Sequence, residues 1–253
     1  MFTINLTAEQ LNANYELVLD IIHKYFTGDR KSKLLTLFED YKDKIIISPA
    51  SSMNHFHSAY PGGYCVHTLL VIDIVEKLYQ LWKSLGSDVS GYDLSELIFV
   101  ALIHDFGKLG SIEQDYYIIN DSEWHIKNRG ELYKRNPELE NVRHEERSIY
   151  ILNQYGIKLS INEFIGILAH NGAYDEASKF YFDQFNDERK LRTNLPIIFH
   201  HADYMAYRIE YENEKKLRSN KPKTKTTIKD TKKALNINEK NNADILKSFA
   251  DLF

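Results

Sequence analysis

The sequence predicts an all-α fold, a helical bundle that carries a small β-hairpin insertion and ends in a flexible C-terminal tail. Capping boxes at residues 7–10, 93–96 and 160–163 mark three helix starts, and apolar residues recur behind each at helical spacing. The apolar runs are all shorter than the roughly 18 residues that cross a bilayer. These observations predict a helical protein with no membrane span.

Residues 1–50 are predicted to form N-terminal helices that pack on the core. Behind the first capping box, Leu11, Tyr15 and Val18 share one helical face, so a first helix should run to about residue 26. A second helix is predicted over residues 30–46, where Leu34 and Leu37 begin an apolar stripe.

The main domain is predicted over residues 51–218. A helix over 64–85 follows a glycine turn, and a buried helix over 97–104 breaks at Gly107. A Tyr-Tyr-Ile-Ile run at 116–119, an Asn-Asp-Ser turn and alternation from Trp124 predict the β-hairpin. Asn141 should cap a helix that reaches residue 155, the third capping box should open one that ends near residue 170, and a last helix should start at Asn194.

Residues 219–253 are predicted to form the tail, in two parts. Nine Lys or Arg residues fall between residues 213 and 233 of a chain with a net charge of −4, so 219–242 is predicted as a basic flexible linker. This linker is either a solvated spacer or an arm that binds nucleic acid. Residues 243–253 follow as a terminal amphipathic peptide, with Phe249, Leu252 and Phe253 on its apolar stripe.

The last seven residues resemble the C-terminal sliding-clamp-binding peptides of T4-type phage DNA polymerases. This resemblance implies a sliding clamp as partner and the host cytoplasm of a phage-infected bacterium as location. The alternative is a helix that packs back on its own domain or on a second subunit of an oligomer. A cytoplasmic location also agrees with Cys65 as the single cysteine and with no secretory signal pattern in residues 1–10.

Metal-binding side chains recur on separate predicted helices, and a helical bundle can bring such side chains together. Asp105 is the most informative, because it follows the apolar run 97–103 and a carboxylate in a core needs a cation or strong hydrogen bonds. A mixed imidazole and carboxylate set favours Mn²⁺, Fe²⁺, Co²⁺, Ni²⁺ or Zn²⁺, with Mg²⁺ as a further candidate. The residues are His67, His104, Asp105, His144, His170 and Asp203.

Four ordered motifs resemble the HD superfamily of metal-dependent phosphohydrolases. They are Gly-Gly-x-x-x-His-Thr at 62–68, His-Asp-x-Gly-Lys at 104–108, Ala-His-Asn-Gly at 169–172 and His-Ala-Asp at 201–203, and the resemblance covers roughly residues 54–208. It implies an HD-domain helical bundle in which His67, His104, Asp105 and Asp203 hold one metal ion. The first two motifs are most similar to those of bacterial HD-type 3′-to-5′ exoribonucleases.

A further stretch, His-Glu-x-x-Ser at 144–148, resembles HD deoxynucleotide phosphohydrolases, in which the histidine acts beside the metal. In the binuclear branch of the superfamily, a histidine at this place and a His-His pair hold a second metal. Here the pair is His170 followed by Asn171, so His144 and His170 are the candidate ligands of a second ion.

The resemblance also implies catalytic and substrate-binding roles. A bound cation lowers the pKa of a water molecule and polarises a phosphoryl oxygen, and hydroxide attacks phosphorus in line. Asp105 is expected to orient or deprotonate that water, Lys108 to neutralise phosphate charge, and His144 to donate a proton to the leaving oxygen. The candidate substrate-binding residues are His57, Lys108, Arg143 and Arg147.

The expected function is therefore hydrolysis of phosphoester bonds in nucleotides or at the 3′ ends of single-stranded nucleic acid. A deoxynucleotide (tri)phosphohydrolase or a 5′-nucleotidase is the alternative within the same chemistry. The hypothesis from another class is a non-catalytic, metal-bound scaffold that recruits partners through its tail.

Overall fold

The computed structural model describes residues 4–182, 187–188 and 190–219, with side chains to residue 217. Within these ranges the chain is all-α with one two-stranded sheet, which confirms the predicted fold class. Ile4–Lys215 forms one compact unit, and the other unit, Met1–Thr3 with Lys216–Phe253, is described only where the last helix ends. The elements of the described ranges are α1 (Ala8–Tyr25), α2 (Gly28–Asp40), α3 (Lys42–Ile47), α4 (Gly63–Ser84), α5 (Leu94–Ile103), β1 (Tyr117–Ile119), α6 (Glu123–Arg129), β2 (Tyr133–Arg135), α7 (His144–Gln154), α8 (Ile161–Leu168), α9 (Glu176–Phe182) and α10 (Leu195–Ser219), with short 3₁₀ helices at Phe106–Leu109 and Gly172–Tyr174.

The three predicted capping boxes are confirmed, and they start α1, α5 and α8. In each, the cap side chain accepts a hydrogen bond from the backbone three residues on, and the side chain of that residue accepts one from the cap backbone. Helix α4 starts differently, because Gly62 adopts φ +83° and a Cβ there would lie 2.2 Å from the Leu11 side chain. Glycine is therefore needed where the chain turns into the helix that carries His67.

One apolar core joins the N-terminal helices to the helices behind them. Phe38 of α2 packs against Phe106, just past α5, with ring centroids 5.4 Å apart. Arg30 lies 3.9 Å over the ring of Phe99 in α5 and donates to the buried carboxylate of Glu163 in α8 at 2.6 Å. Residues 97–103 of α5 are all buried, so this helix is the centre of the core.

The two strands form an antiparallel pair, with Tyr117 opposite Arg135. The prediction of a strand from Trp124 is wrong, because the residues there form α6. Ser122 Oγ caps this helix by accepting from the backbone three residues on, and Gly130 ends it in the left-handed conformation. The Asn-Asp-Ser sequence therefore starts a helix instead of a tight turn, and the second strand lies later in the chain.

Other helix boundaries also differ from the prediction. The helix expected over 30–46 is divided into α2 and α3, since Tyr41 leaves the helical conformation at ψ 7° and packs its ring 4.9 Å from that of Phe106. Asn141 does not cap α7, because its side-chain oxygen accepts from Arg135 at 2.8 Å and the cap position is Arg143. Helix α9 has no counterpart in the prediction.

The predicted tail falls almost wholly outside the described residues. Apart from residue 219, the basic linker at 219–242 and the terminal peptide at 243–253 are not described, and this includes Phe249, Leu252 and Phe253. Among the helices of the described ranges, none combines the length and apolar character that a membrane span requires.

Candidate metal centre

Six side chains of the types that can hold a metal ion meet at one place, although they come from different helical segments. Each lies at a helix end or on the inner face of a helix, so the fold directs all six towards the same interior space. They are His67 of α4, His104 and Asp105 at the end of α5, His144 at the start of α7, His170 just after α8, and Asp203 of α10.

The first ion group consists of His67, His104 and Asp203, whose ligand atoms lie within 4.8 Å of one another. Asp203 Oδ1 is 3.1 Å from His67 Nε2 and 3.9 Å from His104 Nε2. Asp105 Oδ2 is 3.6 Å from the same nitrogen of His104. Imidazole nitrogens and carboxylate oxygens at these separations suit one divalent ion.

The second ion group consists of Asp105, His144 and His170, again with ligand atoms within 4.8 Å of one another. Asp105 Oδ1 is 3.3 Å from His144 Nε2 and 3.7 Å from His170 Nε2. The two Nε2 atoms are 3.3 Å apart. Asp105 therefore directs one oxygen at each ion group and is shared between them.

Backbone carbonyls decide which ring nitrogens face the centre. Nδ1 of His104 donates to the carbonyl of Ala101 at 3.0 Å, and Nδ1 of His170 donates to the carbonyl of Ile167 at 2.8 Å. Both acceptors lie in the last turn of a helix, where carbonyls have no partner within the helix. Because Nδ1 carries the proton in each ring, Nε2 keeps its lone pair directed inward.

Glu210 supports His67 from behind, and the sequence analysis did not identify it. Its Oε2 accepts from His67 Nδ1 at 3.0 Å and from His57 Nδ1 at 2.8 Å. A carboxylate behind a metal-binding imidazole orients the ring and increases its basicity. Glu210 follows Asp203 by seven residues, so the helical period puts both on one face of α10. This spacing could have identified Glu210 from the sequence.

Two buried atoms of the centre have no hydrogen-bond partner among the described residues, His104 Nε2 and Asp105 Oδ1. His104 is 1% exposed and Asp105 2%. An unsatisfied buried polar group costs about 1–3 kcal/mol, and native proteins leave few of them. A cation would satisfy both atoms, so the residues present fit a divalent metal.

The protonation states of three residues suit metal binding. Burial raises the pKa of Asp105, but the positive charge of Lys108, with smaller contributions from the neighbouring imidazoles, outweighs burial and holds that pKa well below its usual value. The pKa of Asp203 is also lowered, since the hydrogen bond from His67 and the neighbouring imidazoles outweigh its burial. Burial lowers the pKa of His104 to about 4. At neutral pH the two carboxyl groups are therefore ionised and His104 is neutral, as metal ligands must be.

His67 differs, because it is paired with two carboxylates. Burial lowers its pKa, but the charge of Glu210 and the hydrogen bond to Asp203 outweigh burial and raise the pKa to about 10. Metal binding at His67 Nε2 therefore has to release a proton, as metal binding to protonated ligands does in general.

Gly107 and Ser148 hold the Asp105 segment against α7. The Gly107 N–H donates to Ser148 Oγ at 2.7 Å, and Ser148 Oγ donates to the carbonyl of His144 at 3.0 Å. A Cβ at position 107 would lie 2.0 Å from that carbonyl oxygen. Glycine in the His-Asp-x-Gly-Lys motif and serine in the His-Glu-x-x-Ser stretch thus allow the two segments to meet, which brings His144 to Asp105.

Lys108 supplies a positive charge beside the centre. Its Nζ lies 2.7 Å from Asp105 Oδ2. Burial favours the neutral amine, but the charge of Asp105 outweighs burial and raises the pKa of Lys108 above its usual value. The ammonium therefore persists at neutral pH within a cavity that reaches the candidate metal ligands.

That cavity has a volume of about 530 Å³, within the range of small-molecule sites. Its polar lining includes His57, His67, Asp105, Lys108 and Asp203. Its aromatic lining includes Phe56, Tyr117, Tyr174, Tyr204 and Tyr207. The cavity is thus lined by charged and aromatic side chains together.

The two arginines that were predicted to bind substrate lie in different places. Arg143 lines a second cleft of about 420 Å³ beside the second ion group, where it contacts Glu145 at 2.7 Å and Asp175 at 2.9 Å. Arg147 lines neither cavity, because it is buried and donates to the carbonyl of Glu140 at 2.6 Å. Of the two, only Arg143 lines a cleft, and His144 lines the same cleft.

In comparisons with protein-family models, with curated proteins and with solved structures, the chain matches none. The site itself is a buried set of imidazoles and carboxylates that could hold metal ions, with Lys108 and an open cavity beside them.

Proposed function

We propose that the chain is a metal-dependent phosphohydrolase of the HD type that cleaves phosphoester bonds in nucleotides or at the 3′ ends of single-stranded nucleic acid. The observation that carries the proposal is the position of Asp105, which joins two ion groups while the ammonium of Lys108 lies 2.7 Å from it. Purely structural metal sites are closed, whereas catalytic sites remain open to a substrate. The cavity over the ligands therefore favours catalysis over a scaffold role.

In this proposal His67, His104, Asp105 and Asp203 hold one divalent ion, and Asp105, His144 and His170 hold a second. When bound, such an ion lowers the pKa of a water molecule and polarises a phosphoryl oxygen. The candidates are Mn²⁺, Fe²⁺, Co²⁺, Ni²⁺, Zn²⁺ and Mg²⁺. The imidazole content of both groups favours the transition metals, because Mg²⁺ prefers oxygen ligands.

The residues around the ligands orient the reactants. Asp105 accepts a hydrogen bond from the attacking water and so directs it towards phosphorus. Lys108 neutralises charge that develops on the phosphoryl oxygens. The aromatic lining of the cavity stacks against a nucleobase, which places the phosphoester over the centre.

We assign His144 to the second ion group, beside Asp105 and His170. Its Nε2 lies 3.3 Å from both Asp105 Oδ1 and His170 Nε2. Burial lowers the pKa of His144, which favours the neutral ring that a metal ligand needs. Donation of a proton from His144 to the leaving oxygen stays a prediction for a centre in which only the first ion group holds an ion.

Hydrolysis of bis(p-nitrophenyl) phosphate by the full chain with Mn²⁺ tests the proposal. We expect turnover that excess EDTA abolishes and that renewed Mn²⁺ restores. The Lys108→Met variant should lower kcat/KM by about 100-fold. Lys77→Met, at a lysine with 72% side-chain exposure on α4, is the matched control and should retain activity.

A product analysis identifies the bond that is cleaved. The panel contains deoxynucleoside triphosphates, deoxynucleoside monophosphates and short single strands, each with every candidate metal. Release of triphosphate, orthophosphate or successive mononucleotides would identify a triphosphohydrolase, a 5′-nucleotidase or an exonuclease. No turnover of any of these substrates or of the chromogenic diester would overturn the proposed function.

A further inference from the structure

A row of tyrosine rings continues from the cavity along the outside of α10. Tyr204 and Tyr207 line the cavity, and Tyr211 lies one turn beyond its lining. The ring centroids are 6.0 Å apart for Tyr204 and Tyr207, and 6.4 Å apart for Tyr207 and Tyr211. Tyr174 stacks on Tyr204 at 5.5 Å with an interplanar angle of 21°. We call these four residues the tyrosine ladder.

The tyrosine ladder is separate from the apolar core. Tyr174 is 77% exposed and Tyr204 is 41% exposed, while Tyr207 and Tyr211 are half-buried. The buried side of α10 is made by other residues at a spacing of four, namely Ala202, Ala206, Glu210 and Glu214. Exposed aromatic faces that adjoin a functional cavity indicate a surface for binding.

We propose that the tyrosine ladder binds single-stranded nucleic acid, with one phosphodiester in the cavity and the adjoining bases stacked on Tyr207 and Tyr211. This inference rests on the proposed function and deepens it, because it favours a strand over a mononucleotide. Bases in a stacked strand are about 3.4 Å apart. The ring centroids are 6.0 and 6.4 Å apart, with interplanar angles of 43° and 33°, so bases on successive rings would be farther apart than in a stacked strand and the bound strand would be extended.

Charges at the far end of the ladder suit a phosphate backbone. The guanidinium of Arg208 lies 5.5 Å from the centroid of the Tyr211 ring, and Nζ of Lys215 lies 6.0 Å from it. Glu212 is 3.7 Å from Arg208 and offsets part of this charge, so stacking has to provide most of the affinity. Cations beside aromatic faces are the usual composition of single-strand binding surfaces, whereas an apolar protein partner leaves such cations without a counter-charge.

Fluorescence anisotropy with labelled oligothymidylates tests this inference on the full chain, in EDTA and at physiological salt. We expect a decanucleotide to bind more tightly than a dinucleotide. Tyr211→Ala should weaken decanucleotide binding by about fivefold or more, because base stacking on one aromatic ring is worth that much. Tyr211→Leu keeps apolar packing without a ring face and should show the same loss, whereas Tyr211→Trp should retain binding. Tyr150→Ala, at a tyrosine 62% exposed on α7, is the matched control and should not change the affinity.

Equal decanucleotide affinity of the original chain and of Tyr211→Leu, with both folded by circular dichroism, would overturn the inference. A change in sedimentation mass of Tyr211→Leu without a change in affinity would also overturn it, and would assign the ladder to contact between two copies of the chain. Hydrolysis of bis(p-nitrophenyl) phosphate, measured in parallel, keeps the two proposals distinct. If the chain hydrolyses the diester but binding does not depend on oligonucleotide length, only the inference about the tyrosine ladder is refuted. If binding depends on Tyr211 but no hydrolysis is observed, only the proposed function is refuted.

Discussion

The two ion groups are enclosed to a similar degree, but the carboxylates behind their imidazoles differ. The most exposed side chain of the first group is that of Asp203, at 20%, and that of the second is His144, at 19%. Glu210 Oε2 accepts a hydrogen bond from His67 Nδ1 at 3.0 Å, whereas Glu145 Oε2 lies 3.3 Å from His144 Nδ1 and has no hydrogen-bond partner among the described residues. Because a hydrogen-bonded carboxylate increases the basicity of an imidazole, we expect the first group to hold its ion more tightly.

The candidate ligands themselves also differ in number. Both ion groups offer two imidazole nitrogens and an oxygen of Asp105, and the first adds the carboxylate of Asp203. Four candidate ligands against three therefore favour tighter binding in the first group, in the same direction as the carboxylate that is hydrogen-bonded behind His67.

The largest effect should follow from the residue that the two groups share. We expect Asp105→Asn to lose both ions and all hydrolysis of bis(p-nitrophenyl) phosphate, because an amide lacks the charge that faces each group. Metal content after dialysis against Mn²⁺ measures the first effect. Asp73→Asn, at a half-exposed carboxylate on α4, is the control and should behave as the original chain. Full activity of Asp105→Asn would refute the assignment of the centre.

A second variant tests the close contact between the Asp105 segment and α7. Gly107→Ala places a Cβ 2.0 Å from the carbonyl oxygen of His144, so we expect the free energy of unfolding to fall by about 3 kcal/mol. Urea denaturation followed by circular dichroism measures this change. Ser148→Ala removes the hydrogen bond from the Gly107 N–H and the one to the His144 carbonyl without adding a steric clash, and should cost about 1–2 kcal/mol. A larger loss for Ser148→Ala than for Gly107→Ala would contradict the steric explanation.

A matched pair of variants should act on one group at a time. We expect Glu210→Gln to weaken the tighter Mn²⁺ site by about 10-fold to 100-fold, because it removes the carboxylate behind His67. Glu145→Gln should weaken only the other site, since Glu145 Oε2 lies 3.3 Å from Nδ1 of His144. Isothermal titration with Mn²⁺ resolves the two steps. Equal effects of both variants on both steps would show that the groups are not independent.

Local signals made much of the fold predictable. Each capping box involves residues three positions apart, so the starts of α1, α5 and α8 could be identified from neighbouring residues alone. Helix α6 was missed because its cap, Ser122, follows Asn-Asp and so resembles a turn. Whether such a sequence becomes a turn or a helix cap depends on where the next strand finds its partner, which is not local information.

The residues that meet at the candidate metal centre could be named from the sequence, but their surroundings could not. Asp105 was identifiable because a carboxylate after an apolar run needs a partner. Glu210 was missed, although it shares a face with Asp203, because its partner His57 is 153 residues away. Arg147 lies one turn after His144 on the same face of α7, but its Cβ packs against Gly107. Periodicity gives the face of a helix and not the depth at which each residue is packed.

Helix α10 also makes hydrogen bonds to the segment that precedes α4. Glu214 accepts a hydrogen bond from the backbone of Ser58 at 2.6 Å, and Glu210 binds the neighbouring His57. Ser58 has φ +48°, an unfavourable conformation for a residue with a Cβ, so these two carboxylates keep the segment in a shape that it would not adopt alone. One helix thus carries Asp203 of the candidate metal centre and fixes a wall of the cavity beside it, so any shift of α10 would reshape the cavity entrance as well.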